Sequence, residues 1–189
     1  MKNIEAYIAK EIETLKVLDI SAINETLNEI VAAFEREGNI YIFGNGGSAA
    51  TASHYANDFN KGISEYTEKK FRFICLNDNV PTIMAVANDI GFEEIFRFQL
   101  RGKLAKDDLV IGISGSGSSK NIVNALQYAR DNGTRTIGIT GFDGGKVKQM
   151  VDVSLHVPIK NMQITEDIHM MFDHLMITVL YQVWGLNGH

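Results

Sequence analysis

At 189 residues the chain is long enough for one domain with a substantial core. Apolar residues make up 45% and charged residues 22%, a globular balance that excludes intrinsic disorder as the main state. A net charge of −5, with both signs interspersed, argues against a protein whose work is to coat nucleic acid or an anionic membrane. The single cysteine, Cys75, excludes an intramolecular disulfide and a cysteine-based zinc site. No stretch approaches a membrane span and the start lacks an apolar signal core, so a cytoplasmic protein is expected.

The first helical pattern places Ile4, Ile8, Ile12, Leu15 and Leu18 on one stripe. A second begins near Ser21, with Asn24 and Glu25 suited to a first turn. It runs through Leu27, Ile30, Val31 and Phe34 to a stop at Gly38. From there short, nearly continuously apolar runs read as strands buried on both faces: 39–43, 71–76, 109–113, 136–140 and 153–157. Helical segments alternate with them at 49–59, 82–87, 93–104, 121–132 and 146–151, and a last long helix spans 165–184. This alternation predicts an α/β fold: a three-layer, doubly wound arrangement with a five-stranded parallel sheet, preceded by two N-terminal helices. A single domain over 1–189 is expected, with 1–38 as a helical extension whose apolar stripe needs a partner.

In such sheets ligands bind beyond the carboxyl ends of the strands, so the loops there carry the information. After the first strand comes Gly44-Asn45-Gly46-Gly47-Ser48, opening directly into a helix. After the third comes Ser114-Gly115-Ser116-Gly117-Ser118-Ser119, again opening a helix. Small residues let the backbone approach a ligand, and hydroxyls with free N–H groups at a helix start bind an anion without a lysine. One such loop can be an ordinary turn, but two at corresponding strand ends favour a phosphate or sugar phosphate. The second is no P-loop, because no Gly-Lys-Ser/Thr closes it. Gly44-x-Gly46-x-x-Ala49 fits the loose dinucleotide fingerprint, yet Asp78 comes too late to serve as its ribose-binding acid.

Ionisable residues gather on the flanking helices. His54 and Asp58 are four apart on one face, and Glu166, Met170 and His174 form a row on the last helix. Two carboxylates and two histidines can bind a divalent metal or divide acid and base roles, unless the two helix faces are simply solvated. Asn88-Asp89 is a further polar pair, which also reads as a helix C-terminal turn before Gly91.

Together these motifs resemble the SIS-domain phosphoheptose (sedoheptulose-7-phosphate) isomerase family. The resemblance rests on Gly44–Ser48 followed by His54, on Ala87-Asn88-Asp89, on 112–119, on 140–145 and on the Glu/His-bearing last helix, and it covers nearly the whole chain. It implies a ketose–aldose isomerase producing D-glycero-D-manno-heptose 7-phosphate for lipopolysaccharide or capsule, working as a zinc-containing homotetramer with sites between subunits. By position, Asn45, Gly46, Gly47, Ser48, Asn88, Asp89, Ser114, Gly115, Ser116 and Ser119 bind substrate. His54, Asp58, Glu166 and His174 surround the metal, with Asp58 or Glu166 as base and His174 as acid/base partner. The chain departs from the family in having Asp58 where Glu is usual, Glu166 where Gln is usual, and Gly115 in place of a hydroxyl residue. The rival readings are an isomerase for another sugar phosphate, a non-catalytic SIS tetramer binding the replication initiator, and a sugar-phosphate-sensing regulatory domain.

Overall fold

The computed structural model describes residues 2–186. The ends of the expected 1–189 domain, residues 1 and 187–189, lie outside the described residues. Two helices, α1 (Lys2–Lys16) and α2 (Ile20–Glu35), lead into β1 (Ile40–Gly44) and α3 (Gly47–Asn57). There follow β2 (Phe73–Cys75), α4 (Val80–Asp89), α5 (Arg97–Leu100), β3 (Leu109–Ser114) and α6 (Lys120–Asp131). The chain closes with β4 (Arg135–Thr140), α7 (Gly145–Met150), β5 (Val153–His156) and α8 (Met162–Val183).

The five strands are all parallel, in the order β2-β1-β3-β4-β5, so the doubly wound α/β expectation holds. Side chains alternate across the sheet and feed two cores. Ile40, Ile42, Ile111, Ile137 and Leu155 face α2, α3 and α8. Tyr41, Phe43 and Val110 face α4, α5, α6 and α7. The chain reverses direction along the sheet between β1 and β3, which makes the crevice beyond these two strands the natural ligand position.

Local chemistry explains where elements depart from the sequence expectation. α2 starts one residue before Ser21 because Asp19 caps it, accepting from the Ser21 and Ala22 N–H groups. It stops because Glu37 takes the left-handed conformation (φ 58°) and Gly38 N–H closes back onto Ala33 O. The expected helix over 93–104 is broken into a 3-10 turn at Phe92–Glu94 and the short α5. The Asn124 amide donates to the Glu93 carbonyl, the acceptor a continuous helix would offer to Arg97. β2 is shorter than expected, three residues at the sheet edge. The helix that carries His54 ends at Asn57 and passes into a π-turn at Asp58–Gly62, a distortion often found at functional sites.

Candidate active site

The β1–α3 turn depends on Gly46, whose φ of 55° starts α3 without the penalty a side chain would bring. Asn77 holds the turn from the neighbouring crossover, accepting from Gly44 N–H at 3.1 Å and donating to Gly44 O at 2.9 Å. Asn45 and Asn121 exchange amide hydrogen bonds of 2.9 and 2.8 Å, tying this turn to the first residues of α6. Neither Asn77 nor Asn121 stands out in the local sequence. Each acts by satisfying a group distant in sequence, and local pattern carries no signal for that.

The second loop, 114–119, curls around a cavity of about 160 Å³ lined by Asn45, Ser48, Ser114, Gly115, Ser116, Ser119, Met162 and Glu166. Ser119 is the N-cap of α6 yet makes no side-chain capping bond; its oxygen accepts from the Ser114 hydroxyl at 3.4 Å, and its own O–H can donate to a ligand. Gly117 N–H bonds Ser114 O at 2.9 Å and closes the turn. A Cβ on Gly117, whose φ is 64°, would clash with the Gly144 carbonyl. The 140–145 loop is therefore a brace. Gly141 N–H donates to Gly115 O and Val147 N–H to Gly117 O, each at 2.9 Å. Hydroxyls, amides and the positive end of α6 converge on a space suited to a phosphate group.

Two helices lead away from this cavity side by side. Tyr55 of α3, fully buried, donates its hydroxyl to His169 O of α8 at 3.1 Å. At the cavity end, Glu166 is half-buried with its carboxylate against the start of α3; a Cβ on Gly47 would fall 2.5 Å from Glu166 Oε2. About two turns further on, His54 Nε2 lies 3.1 Å from His174 Nε2, 3.3 Å from Asp58 Oδ2 and 3.7 Å from Asp173 Oδ2. Ligand atoms of these four residues lie within 4.8 Å of one another.

Of the expected site residues, the structure brings His54, Asp58 and His174 together and gathers Asn45, Ser48, Ser114, Gly115, Ser116, Ser119 and Glu166 around the cavity. Gly46 and Gly47 form the turn beside it. Glu166 stands with the cavity and outside the four-residue cluster. Asn88 and Asp89 are exposed at the end of α4, bonded to each other at 2.7 Å, and line neither feature.

Asp173 is the addition. It is fully buried, and neither carboxylate oxygen has a hydrogen bond of ordinary geometry. Burial, aided by the Asp58 carboxylate, pushes its pKa up to about 8. A sequence signal existed: Asp173 lies in the buried row of α8 with His169, Phe172, Met176 and Ile177, where a carboxylate needs a partner.

The cluster fits a divalent cation. Three possible ligand atoms crowd around His54 Nε2, and its single nitrogen makes a linear hydrogen bond to only one of them at a time. Two imidazoles and two carboxylates match the donor types that zinc and similar ions take.

Comparison with known proteins agrees with this architecture. The SIS-domain family profile matches residues 5–141. The chain is 35% identical over 173 residues to a phosphoheptose isomerase of Aliarcobacter butzleri (strain RM4018), covering 92% of this chain and 89% of that one. Solved structures of phosphoheptose isomerases superpose with TM-scores of 0.87 (Francisella tularensis, 30% identity, 96% and 95% covered) and 0.86 (Neisseria gonorrhoeae, 29% identity, 96% and 98% covered). With the sheet order, the two loops at its switch point and this similarity along both chains, the protein belongs to the phosphoheptose isomerase family of SIS-domain proteins.

Proposed function

We propose that the chain interconverts sedoheptulose 7-phosphate and D-glycero-D-manno-heptose 7-phosphate, a ketose–aldose isomerisation that feeds surface-glycan heptose synthesis. The observation that carries the reading is the layout along α3 and α8. A phosphate cradle lies at one end and the His54/Asp58/Asp173/His174 cluster at the other. Glu166 and His174 are eight residues apart on α8, about 12 Å of helix. That spacing suits a long phosphorylated sugar and is poorly filled by a three-carbon one.

In this arrangement the phosphate accepts hydrogen bonds from Ser114, Ser116 and Ser119 and from N–H groups at the start of α6, each charge-assisted bond contributing about 1.5–3 kcal/mol. The sugar chain then runs past Glu166 towards His174. A carboxylate, Glu166 or Asp58, takes the proton from C1 of the ketose, leaving an enediolate, and the proton returns at C2 to give the aldose. His174, exposed at the open side of the cluster, exchanges the hydroxyl proton between the two oxygens. His54, Asp58 and His174 would hold zinc, which when bound would supply Lewis-acid polarisation of the substrate oxygens.

The same reading takes the protein as a cytoplasmic homotetramer. Among the described residues no helix is long and apolar enough to cross a membrane. Ile4, Ile8 and Ile12 of α1 are exposed, while Leu15, Leu18 and Tyr7 pack on the chain's own core. The stripe foreseen in the sequence is thus half-covered by its own domain, and the uncovered half suits another subunit. Incubating the purified chain with sedoheptulose 7-phosphate tests the activity: aldose formation supports it, and turnover of shorter ketose phosphates alone would redirect it.

A further inference from the structure

We propose that Asp173, and not Glu166, is the fourth ligand of the metal site, so that this chain holds its cation with two histidines and two aspartates. The inference rests on the reading that the His54/Asp58/His174 cluster is a metal site, and deepens it. Position in the sequence puts Glu166 into the set; geometry takes it out. Its carboxylate lies against Gly47 at the start of α3, beside the phosphate cavity and roughly two helical turns upstream of the cluster. Asp173 is where a ligand is needed. Its Oδ2 is 3.7 Å from His54 Nε2, and its nearest-neighbour donors His54, Asp58 and His174 all lie within 4.8 Å.

Burial strengthens the assignment. Asp173 is fully shielded from solvent, and neither of its oxygens has a hydrogen bond of ordinary geometry among the described residues. A buried carboxylate left this way is costly, and a second carboxylate, Asp58, in the same cluster makes it worse. A divalent cation removes both costs, because two carboxylates balance its charge. The long helix supplies the geometry: His174 follows directly and opens to the surface side, while Asp173 closes the site from the interior. With two aspartates committed, Glu166 is left as the free carboxylate along the sugar chain.

The test uses the full-length protein stripped with a chelator and titrated with zinc ions against a chromophoric competitor, without substrate. Asp173→Asn should weaken zinc binding about 100-fold or more, while Glu166→Gln stays within about threefold of wild type. Melting of the metal-free proteins separates ligation from packing: metal-free Asp173→Asn should melt at or above the wild-type temperature. Zinc affinity retained in Asp173→Asn, affinity lost in Glu166→Gln, or a lowered metal-free Tm in Asp173→Asn would overturn the assignment. Failure to turn over sedoheptulose 7-phosphate would leave this result standing and count only against the activity.

Discussion

His54 and His174, which come from helices far apart in sequence, meet edge to face with their Nε2 atoms 3.1 Å apart and their rings inclined at 72°. Two ring nitrogens at that distance share one proton or jointly face a cation. The meeting follows from packing further along: Tyr55, one residue after His54, is anchored to the backbone of His169 on α8. A buried aromatic anchor thus fixes the functional pair beside it. His174→Gln removes the acid/base group and is expected to abolish turnover whichever carboxylate acts as base; near-wild-type turnover would reduce the pair to a structural contact.

The phosphate cradle predicts a binding effect separate from chemistry. Ser116→Ala or Ser119→Ala should raise KM about tenfold or more, from the loss of one charge-assisted hydrogen bond. The fold should persist, because neither hydroxyl caps α6. Steady-state kinetics with the phosphorylated ketose measure this, and unchanged KM in both variants would remove the cradle assignment.

Glu166→Gln should lower kcat by about 100-fold or more while changing KM less, the pattern of a lost proton-transfer group. If Asp58 is the base instead, Glu166→Gln leaves kcat within a few-fold and Asp58→Asn abolishes it. Running both variants side by side assigns the role.

His169 predicts a pH dependence of stability. Its ring is buried, and burial pushes its pKa from 6.5 down to about 4, the Thr140 backbone opposing the shift and His156 adding to it. Between those values the unfolded chain binds a proton that the folded chain refuses. The stability owed to the neutral ring is therefore whole above about pH 6.5 and is lost as the pH falls to about 4, by about 3 kcal/mol in all. Urea unfolding at pH 7 and pH 4.5 should show a markedly smaller fall for His169→Gln than for wild type. Equal falls would mean that His169 titrates normally in the folded state.

The exposed half of α1 predicts association. Light scattering should give a tetramer for wild type and a smaller species for the double substitution Ile8→Glu with Ile12→Glu, since charge on this exposed apolar stripe opposes its burial between subunits. A wild-type monomer at working concentration would contradict it.

Much of the fold and of the site is legible in the sequence. Buried strands as short as 109–113 announce themselves by continuous apolarity, and the two small-residue loops sit at their ends because that is where a parallel sheet presents ligands. What stayed hidden depends on contacts between distant segments. At the break after Glu94 the Glu93 carbonyl is taken by the Asn124 amide, 31 residues on. The short β2 reflects its place at the sheet edge. Asn77 and Asn121 matter through backbone and amide groups in other loops. Asp173 was concealed by its neighbour His174, the more obvious ligand, although its place in the apolar row of α8 marks it as a buried charge. Asn88 and Asp89 lie exposed at the end of α4, bonded to each other and outside the lining of the cavity.

The most direct measurement is an NMR time course of the purified, zinc-supplied protein with sedoheptulose 7-phosphate in deuterated water. The account predicts growth of the aldose anomeric signal to equilibrium, with deuterium entering at C2 as the enediolate is reprotonated. An unchanged ketose spectrum after prolonged incubation, from a folded and zinc-loaded protein, would contradict it.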